Sequence, residues 1–140
     1  MAQKYGPKIV TDGLVLCLDA ADQTSYPGSG TTWTDLAGGD NVTFSGGVSF
    51  NSTQGGFDTF DGTDDMGKIS AGFSFNDNNE GTIAAWVKHD GSGNGYIGAF
   101  RNNANKWFSL RPAGTYIGLY DYYNGTRAIG SCSTTAVDDN

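Results

Sequence analysis

The sequence predicts an all-β protein, an antiparallel β-sandwich of the jelly-roll type. Short apolar runs alternate with segments rich in Gly, Asn, Asp and Ser, which is the pattern of antiparallel strands joined by turns. Aromatic residues make up 13% of the chain, more than a disordered chain carries. No segment has the apolar periodicity of a long amphipathic helix, so both layers of the core are expected to be sheets.

Individual strands are predicted from apolar runs, alternation and turn residues. A continuous apolar run at residues 14–18 predicts a first strand that is covered on both sides. Alternation at residues 42–44 and 48–50, around Ser45-Gly46-Gly47, predicts a short hairpin. The pair Asn124-Gly125 predicts a second hairpin. Further strands are predicted at residues 66–69, 82–88, 96–100, 107–110, 115–120 and 126–129.

The length of 140 residues suits one domain with one hydrophobic core. Residues 1–12 are predicted to be an N-terminal lead-in, and residues 13–140 the sandwich domain. The two cysteines, Cys17 and Cys132, form no metal or redox motif. A disulfide between them stays open as an alternative, although assembly in a cytoplasm disfavours it.

Charge and hydropathy exclude several partners. The net charge is −7, with only eight Lys and Arg and no basic cluster in the sequence, so nucleic-acid binding is not expected. No apolar run approaches the roughly 20 residues that a membrane span requires. The first eight residues lack the apolar segment of a secretion signal, so the sequence predicts synthesis and assembly in a cytoplasm.

An ordered series of motifs runs through the chain: GLVLCLDAAD at 13–22, SYPG at 25–28, TWTDL at 32–36, FDGTDD at 60–65 and TIAAWVK at 82–88. The series resembles a concanavalin A-like lectin/glucanase domain of the laminin-G-like kind. The variant it is most similar to occurs in structural proteins of tailed bacteriophages, cyanophages among them. The resemblance extends over residues 9–140.

This resemblance implies a non-enzymatic structural protein of the virion, from the tail, the fibre or the capsid surface, assembled in the host cytoplasm. Its partners would be other virion proteins or copies of itself, together with cell-surface glycans. The alternative is a carbohydrate-binding or adhesion module of a bacterial surface protein.

Relatives usually continue past a pair such as Asp139-Asn140 into a further strand that begins Trp-His, whereas this chain ends there. The resemblance therefore implies a fragment, or a sandwich incomplete at its C-terminal end whose missing strands a neighbour supplies. An open sheet edge pairs readily with another chain. An oligomer or a larger assembly is expected.

Catalysis is not expected. Retaining glucanases of this fold carry Glu-x-Asp-x-x-Glu and need two carboxyl groups about 5 Å apart, whereas this chain has one glutamate, Glu80. Neighbouring aspartates on a strand point to opposite faces and cannot replace the pair. His89 is the only histidine, and no G-x-S-x-G motif accompanies it. A glycanase is therefore disfavoured.

Calcium is the one metal that the resemblance makes a candidate, because laminin-G-like relatives often bind it through loop carboxylates. Calcium prefers several oxygen ligands. The candidate ligands are Asp58, Asp61, Asp64 and Asp65. Their spacing does not match an EF-hand loop, and Asp is also common in plain turns because it hydrogen-bonds its own backbone. Both explanations stay open.

A carbohydrate site is the second candidate. Glycan sites combine aromatic platforms with Asn and Asp side chains, and such residues cluster near one predicted loop. The candidates are Trp107, Tyr120, Asp121, Tyr122, Tyr123 and Asn124. The alternative is that alternating aromatics such as Tyr120 fill the core.

Overall fold

The structure, a computed structural model, describes residues 9–69, 82–88, 95–103, 106–113, 116–123 and 126–131. The chain divides into two compact units, Met1–Gly72 and Phe73–Asn140. The described residues form nine strands and one 3-10 turn, with no α-helix among them, and all strand pairings are antiparallel. The all-β prediction is therefore confirmed.

The first unit contains a three-stranded sheet in the order β1-β2-β5 and a two-stranded sheet, β3-β4. A 3-10 turn, Thr53–Gly55, connects β3 and β4. The strands of this unit are β1 (Thr32–Trp33), β2 (Val42–Ser45), β3 (Ser49–Asn51), β4 (Phe57–Thr59) and β5 (Met66–Ile69).

The core of the first unit is built on aromatic rings around Phe44. Alternation along β2 buries Val42 and Phe44 and exposes the residues between and after them. The Phe44 ring packs edge-on against Tyr26 at a centroid distance of 5.5 Å and tilted against Trp33 at 5.4 Å. The ring of Phe60, just after β4, lies 5.9 Å away. These contacts join β1, β2 and two loops in one cluster.

The predicted strand at residues 14–18 is wrong. The Cys17 amide donates a hydrogen bond to Oδ1 of Asp35 at 2.7 Å, and the Leu36 amide donates to the Cys17 carbonyl at 2.8 Å. The backbone of this apolar segment therefore pairs with a buried carboxylate and a loop amide. The predicted cover on both sides is wrong as well, since Val15 is 60% exposed and residues 14–18 are at most half-buried. An apolar run therefore specifies neither the hydrogen-bond partner nor full burial.

The predicted hairpin at residues 42–50 is also wrong, although both of its strands exist. β2 pairs with β1 and β5, whereas β3 pairs with β4. Gly46 and Gly47 have φ values of +92° and +131°, and a Cβ atom at Gly46 would overlap the backbone of Asp64. The two glycines therefore carry the chain from one sheet to the next, past the backbone of residues 64–65.

The predicted strand at residues 82–88 is not found either. These residues are described without strand pairing, and the Trp86 side chain is fully exposed. Alternating apolar residues and β-branched side chains favour an extended backbone. A strand forms only where a neighbouring strand is available for hydrogen bonding.

The second unit contains a four-stranded antiparallel sheet in the order β6-β7-β8-β9. Its strands are β6 (Gly98–Asn103), β7 (Lys106–Ala113), β8 (Tyr116–Tyr123) and β9 (Thr126–Ser131). Tyr123 pairs with Thr126 across the Asn124-Gly125 dipeptide, so the second predicted hairpin is confirmed. The predicted strands at 107–110 and 115–120 are also present, and both are longer than the sequence indicated.

Candidate functional site

Three of the four predicted calcium ligands gather in the loop between β4 and β5. Asp61, Asp64 and Asp65 each offer one carboxylate oxygen, and these atoms lie within 4.8 Å of one another. The Asp61 amide donates to Oδ2 of Asp65, and the Thr63 amide donates to Oδ1 of Asp61, both at 2.7 Å. The loop therefore closes on itself through carboxylate-to-backbone hydrogen bonds, which is ordinary turn chemistry.

The fit to calcium is partial. Two of the carboxylate oxygens already accept backbone hydrogen bonds, whereas Oδ1 of Asp65 is shielded from solvent without a hydrogen-bond partner among the described residues. Three carboxylates are fewer ligands than calcium takes, so backbone carbonyls or water would have to add to them. Calcium binding stays a prediction, and a calcium-dependent rise in melting temperature that Asp64→Asn abolishes would decide for it.

Asp58, the fourth predicted ligand, lies apart from this group of three in β4, opposite Phe50. Both of its carboxylate oxygens are shielded from solvent and make no hydrogen bond among the described residues. Burial raises the pKa of Asp58 from its ordinary value to about 6. The pKa of Tyr26 is raised by burial and by the negative charge of Asp58.

The raised pKa of Asp58 predicts that its contribution to the free energy of unfolding falls as the pH rises. The folded-state pKa lies above the unfolded value, so the contribution of Asp58 is fully present below about pH 4 and is lost as the pH rises through about 6. Asp58→Asn is expected to raise the free energy of unfolding by about 1–2 kcal/mol at pH 7.5, after allowance for solvent screening, and by little at pH 4.

Urea titrations at pH 4 and pH 7.5 measure this difference. Asp40→Asn is the matched control, because Asp40 is exposed. A wild-type chain that gains stability over Asp58→Asn as the pH rises from 4 to 7.5 would contradict the assigned shift.

The strand register divides the carbohydrate candidates between the two faces of the second unit's sheet. Trp107 pairs with Tyr122 across β7 and β8, and Tyr120 lies two positions before Tyr122 on the same face. Asp121 and Tyr123 occupy the alternate positions and so lie on the opposite face. Asn124 lies outside the described residues. The sheet therefore brings three aromatic positions together and separates them from the acidic one.

Two arginines stand beside the aromatic pair, and the sequence interpretation missed both. Arg127 pairs with Tyr122 across β8 and β9, and Arg101 pairs with Trp107 across β6 and β7. The position of Arg127 opposite Tyr122 could have been predicted from the Asn124-Gly125 turn, because a two-residue loop sets the register of its hairpin. The pairing of Arg101 with Trp107 could not have been predicted in this way, since β6 has a register shift between Arg101 and Asn103.

Two described side chains further along β7 define the middle of the same face. Ser109, opposite Tyr120, is fully buried. Arg111 is half-buried, and its guanidinium carbon lies 5.9 Å from the ring centroid of Tyr96, within reach of a cation-π contact. The middle of this face is thus closed to solvent at Ser109, and Arg111 has an aromatic neighbour within its own unit.

The strongest nucleophile type in the described part of the chain is poorly suited to catalysis. The pKa of the Cys17 thiol is raised by burial and by the carboxylates of Asp35, Asp19 and Asp22. A raised pKa lowers the fraction of thiolate, which is the reactive form.

No family model, curated protein or solved structure matches the chain. Within the described ranges, no helix has the length and apolar character needed to cross a membrane.

Proposed function

We propose that the chain is a non-enzymatic structural module of a virion, from the tail, fibre or capsid surface. In this proposal its strands form a lectin-like jelly-roll sandwich that contacts other virion proteins or further copies of the chain, and also glycans of the host surface. The motif series that resembles phage laminin-G-like domains supports the virion assignment. The observed all-antiparallel pairing is compatible with that fold.

The observation that carries the contact role is the register of β7 and β8. Trp107 lies directly opposite Tyr122, with Tyr120 next along the same face, so three aromatic positions adjoin on a regular four-stranded sheet. Aromatic residues combine a large apolar surface with low conformational freedom, which favours them in contact surfaces. A sheet also holds such positions at fixed spacing.

Several chemical features favour contact over catalysis. The chain has one glutamate and one histidine, whereas acid-base hydrolysis of glycosides requires a pair of carboxyl groups. The buried Asp35 carboxylate is engaged by three backbone amides. Glycanase activity is therefore the least favoured function.

Two measurements test the proposal. Mass spectrometry of purified particles from a culture that expresses the gene is expected to find the chain as a stoichiometric component. Labelled protein is expected to bind host cells, with binding weakened by Trp107→Ala and retained by Tyr123→Ala, the matched aromatic control on the other face. Absence from particles would contradict the virion role, and cell binding without particles would favour the bacterial adhesion module.

A further inference from the structure

All three arginines of the chain lie on the four-stranded sheet, and the register places them on one face. Arg101 is opposite Trp107, and Arg127 is opposite Tyr122, which is itself opposite Trp107. Arg111 follows Trp107 by four positions along β7 and so occupies the same face, because residues of a strand alternate between faces. We call this face of the β6–β9 sheet the arginine face.

The charge of the arginine face is opposite in sign to that of the whole chain. The four strands hold one acidic residue, Asp121, and its position opposite Phe108 places it on the other face. Lys106, opposite Tyr123, lies on that other face as well. The chain has a net charge of −7 with only eight Lys and Arg. This face has three arginine positions and no acidic one, so its charge favours an anionic partner.

One row across the arginine face combines two cations with two aromatics. It consists of Arg101, Trp107, Tyr122 and Arg127, one residue from each strand, and we call it the Arg101–Arg127 row. Neighbouring strands are about 4.8 Å apart, so the row spans about 14 Å. A single further pair, Tyr123 and Thr126, separates it from the Asn124-Gly125 turn. The row thus lies near the turn end of the sheet, and the next position along β7 on this face is the fully buried Ser109.

The residue types of this row match a sugar chain that carries carboxylates. A planar guanidinium group matches a carboxylate with two parallel hydrogen bonds. Aromatic rings offer flat apolar surfaces of the size of a sugar ring. The two arginine positions could each meet a carboxylate of the glycan, and the two aromatic positions between them could meet the sugar rings that separate those carboxylates.

We propose that the Arg101–Arg127 row binds an acidic glycan, a polysaccharide in which carboxylate-bearing sugars recur along the chain. The proposal rests on the glycan contact of the proposed function and specifies its ligand class. Single-stranded nucleic acid also combines stacking with cations. It is the less favoured occupant, because it needs a positive groove that tracks every phosphate.

The ligand test uses a hyaluronan hexasaccharide, in which a uronic acid alternates with a neutral sugar, and the same hexasaccharide with its carboxyl groups methyl-esterified. Calorimetry of the full chain at low salt is expected to give a dissociation constant at least about tenfold lower for the acid form. Added salt is expected to weaken binding of the acid form and to leave the ester unchanged.

The variants localise the binding. Arg101→Gln and Arg127→Gln are each expected to raise the dissociation constant of the acid form about fivefold to tenfold. Lys106→Gln is the matched control, since it removes the same charge from the other face of the same sheet, and it is expected to leave binding unchanged. Arg101→Lys keeps the charge but loses the fork of donors, and an intermediate loss is expected. Circular dichroism checks that each variant keeps its sheet.

Each other outcome has a defined meaning. Equal binding of acid and ester, with weakening by Trp107→Ala alone, would overturn the acidic ligand and leave the glycan contact of the proposed function intact. Equal effects of Lys106→Gln and Arg127→Gln would overturn the assignment to this face. Tighter binding of oligothymidylate than of the hexasaccharide would replace the glycan by nucleic acid. If neither hexasaccharide binds, the proposal of an acidic glycan ligand is overturned. The virion role is tested separately, by the composition of purified particles.

Discussion

Asp35→Ala is expected to lower the free energy of unfolding by about 3–5 kcal/mol, since charge-assisted hydrogen bonds are strong and their buried donors would be left unpaired. The Asp35 side chain is 5% exposed. Its Oδ1 accepts from the amides of Cys17 at 2.7 Å and Ala37 at 2.9 Å, and its Oδ2 accepts from Gly39 at 2.9 Å. This one carboxylate therefore ties residues 17 and 37–39 together.

The same hydrogen bonds determine how the contribution of Asp35 to stability depends on pH. Burial by itself disfavours the charged form, but the three backbone amides outweigh it and lower the pKa of Asp35 below its ordinary value. The stabilisation is therefore fully present above the unfolded-state pKa, near 3.8, and is lost as the pH falls through the folded-state pKa. This sign is opposite to that of Asp58.

Urea unfolding of the full chain, from pH 7 down through the acid range, tests both statements. The exposed Asp40 is the matched control, and Asp40→Ala is expected to change stability by no more than about 0.5 kcal/mol. An Asp35→Ala variant as stable as Asp40→Ala at pH 7 would show that the carboxylate does not organise this segment.

Phe44→Ala is expected to cost about 3–5 kcal/mol, because it removes the ring at the centre of the aromatic cluster and leaves a cavity. Phe44 is 5% exposed and contacts the rings of Tyr26, Trp33 and Phe60. It also lies in β2 opposite Gly67 of β5. Loss of the ring is therefore expected to loosen the strand that follows the acidic loop as well.

Phe57→Ala is the matched control for Phe44→Ala, since Phe57 is 40% exposed. Its loss is expected to cost clearly less in the same urea titration, because less apolar surface leaves water on folding. Similar losses for the two variants would contradict the central position of Phe44 in the core.

Local patterns predicted the parts of the fold that depend on neighbours in sequence. Alternation along residues 42–44 predicted the buried positions of β2, and Asn124-Gly125 predicted the β8–β9 hairpin. Both signals arise within a few residues, where side-chain period and turn conformation act directly. The acidic loop at residues 61–65 was likewise visible as a group of carboxylates, and its turn bonds agree with the chemistry of Asp.

Pairing between distant segments was not predictable in this way. Apolar character at residues 14–18 predicted a strand covered on both sides, but Val15 is 60% exposed and the Cys17 amide bonds a carboxylate 18 positions away. Glycines at 46 and 47 suggested a hairpin, whereas close approach to the Asp64 backbone carries the chain between sheets instead. The burial of the Asp58 carboxylate, which raises its pKa, likewise depends on its surroundings in space.

The all-β class followed from short-range periodicity and turn chemistry alone, because these determine which residues prefer extended backbone. The faces of the second unit's sheet followed from strand register, since a shift of one residue would move every side chain to the other face. That register separates Asp121 from Trp107 and Tyr122 and adds Arg101 and Arg127 to them. Positions far apart in sequence become one surface only after the strands have paired.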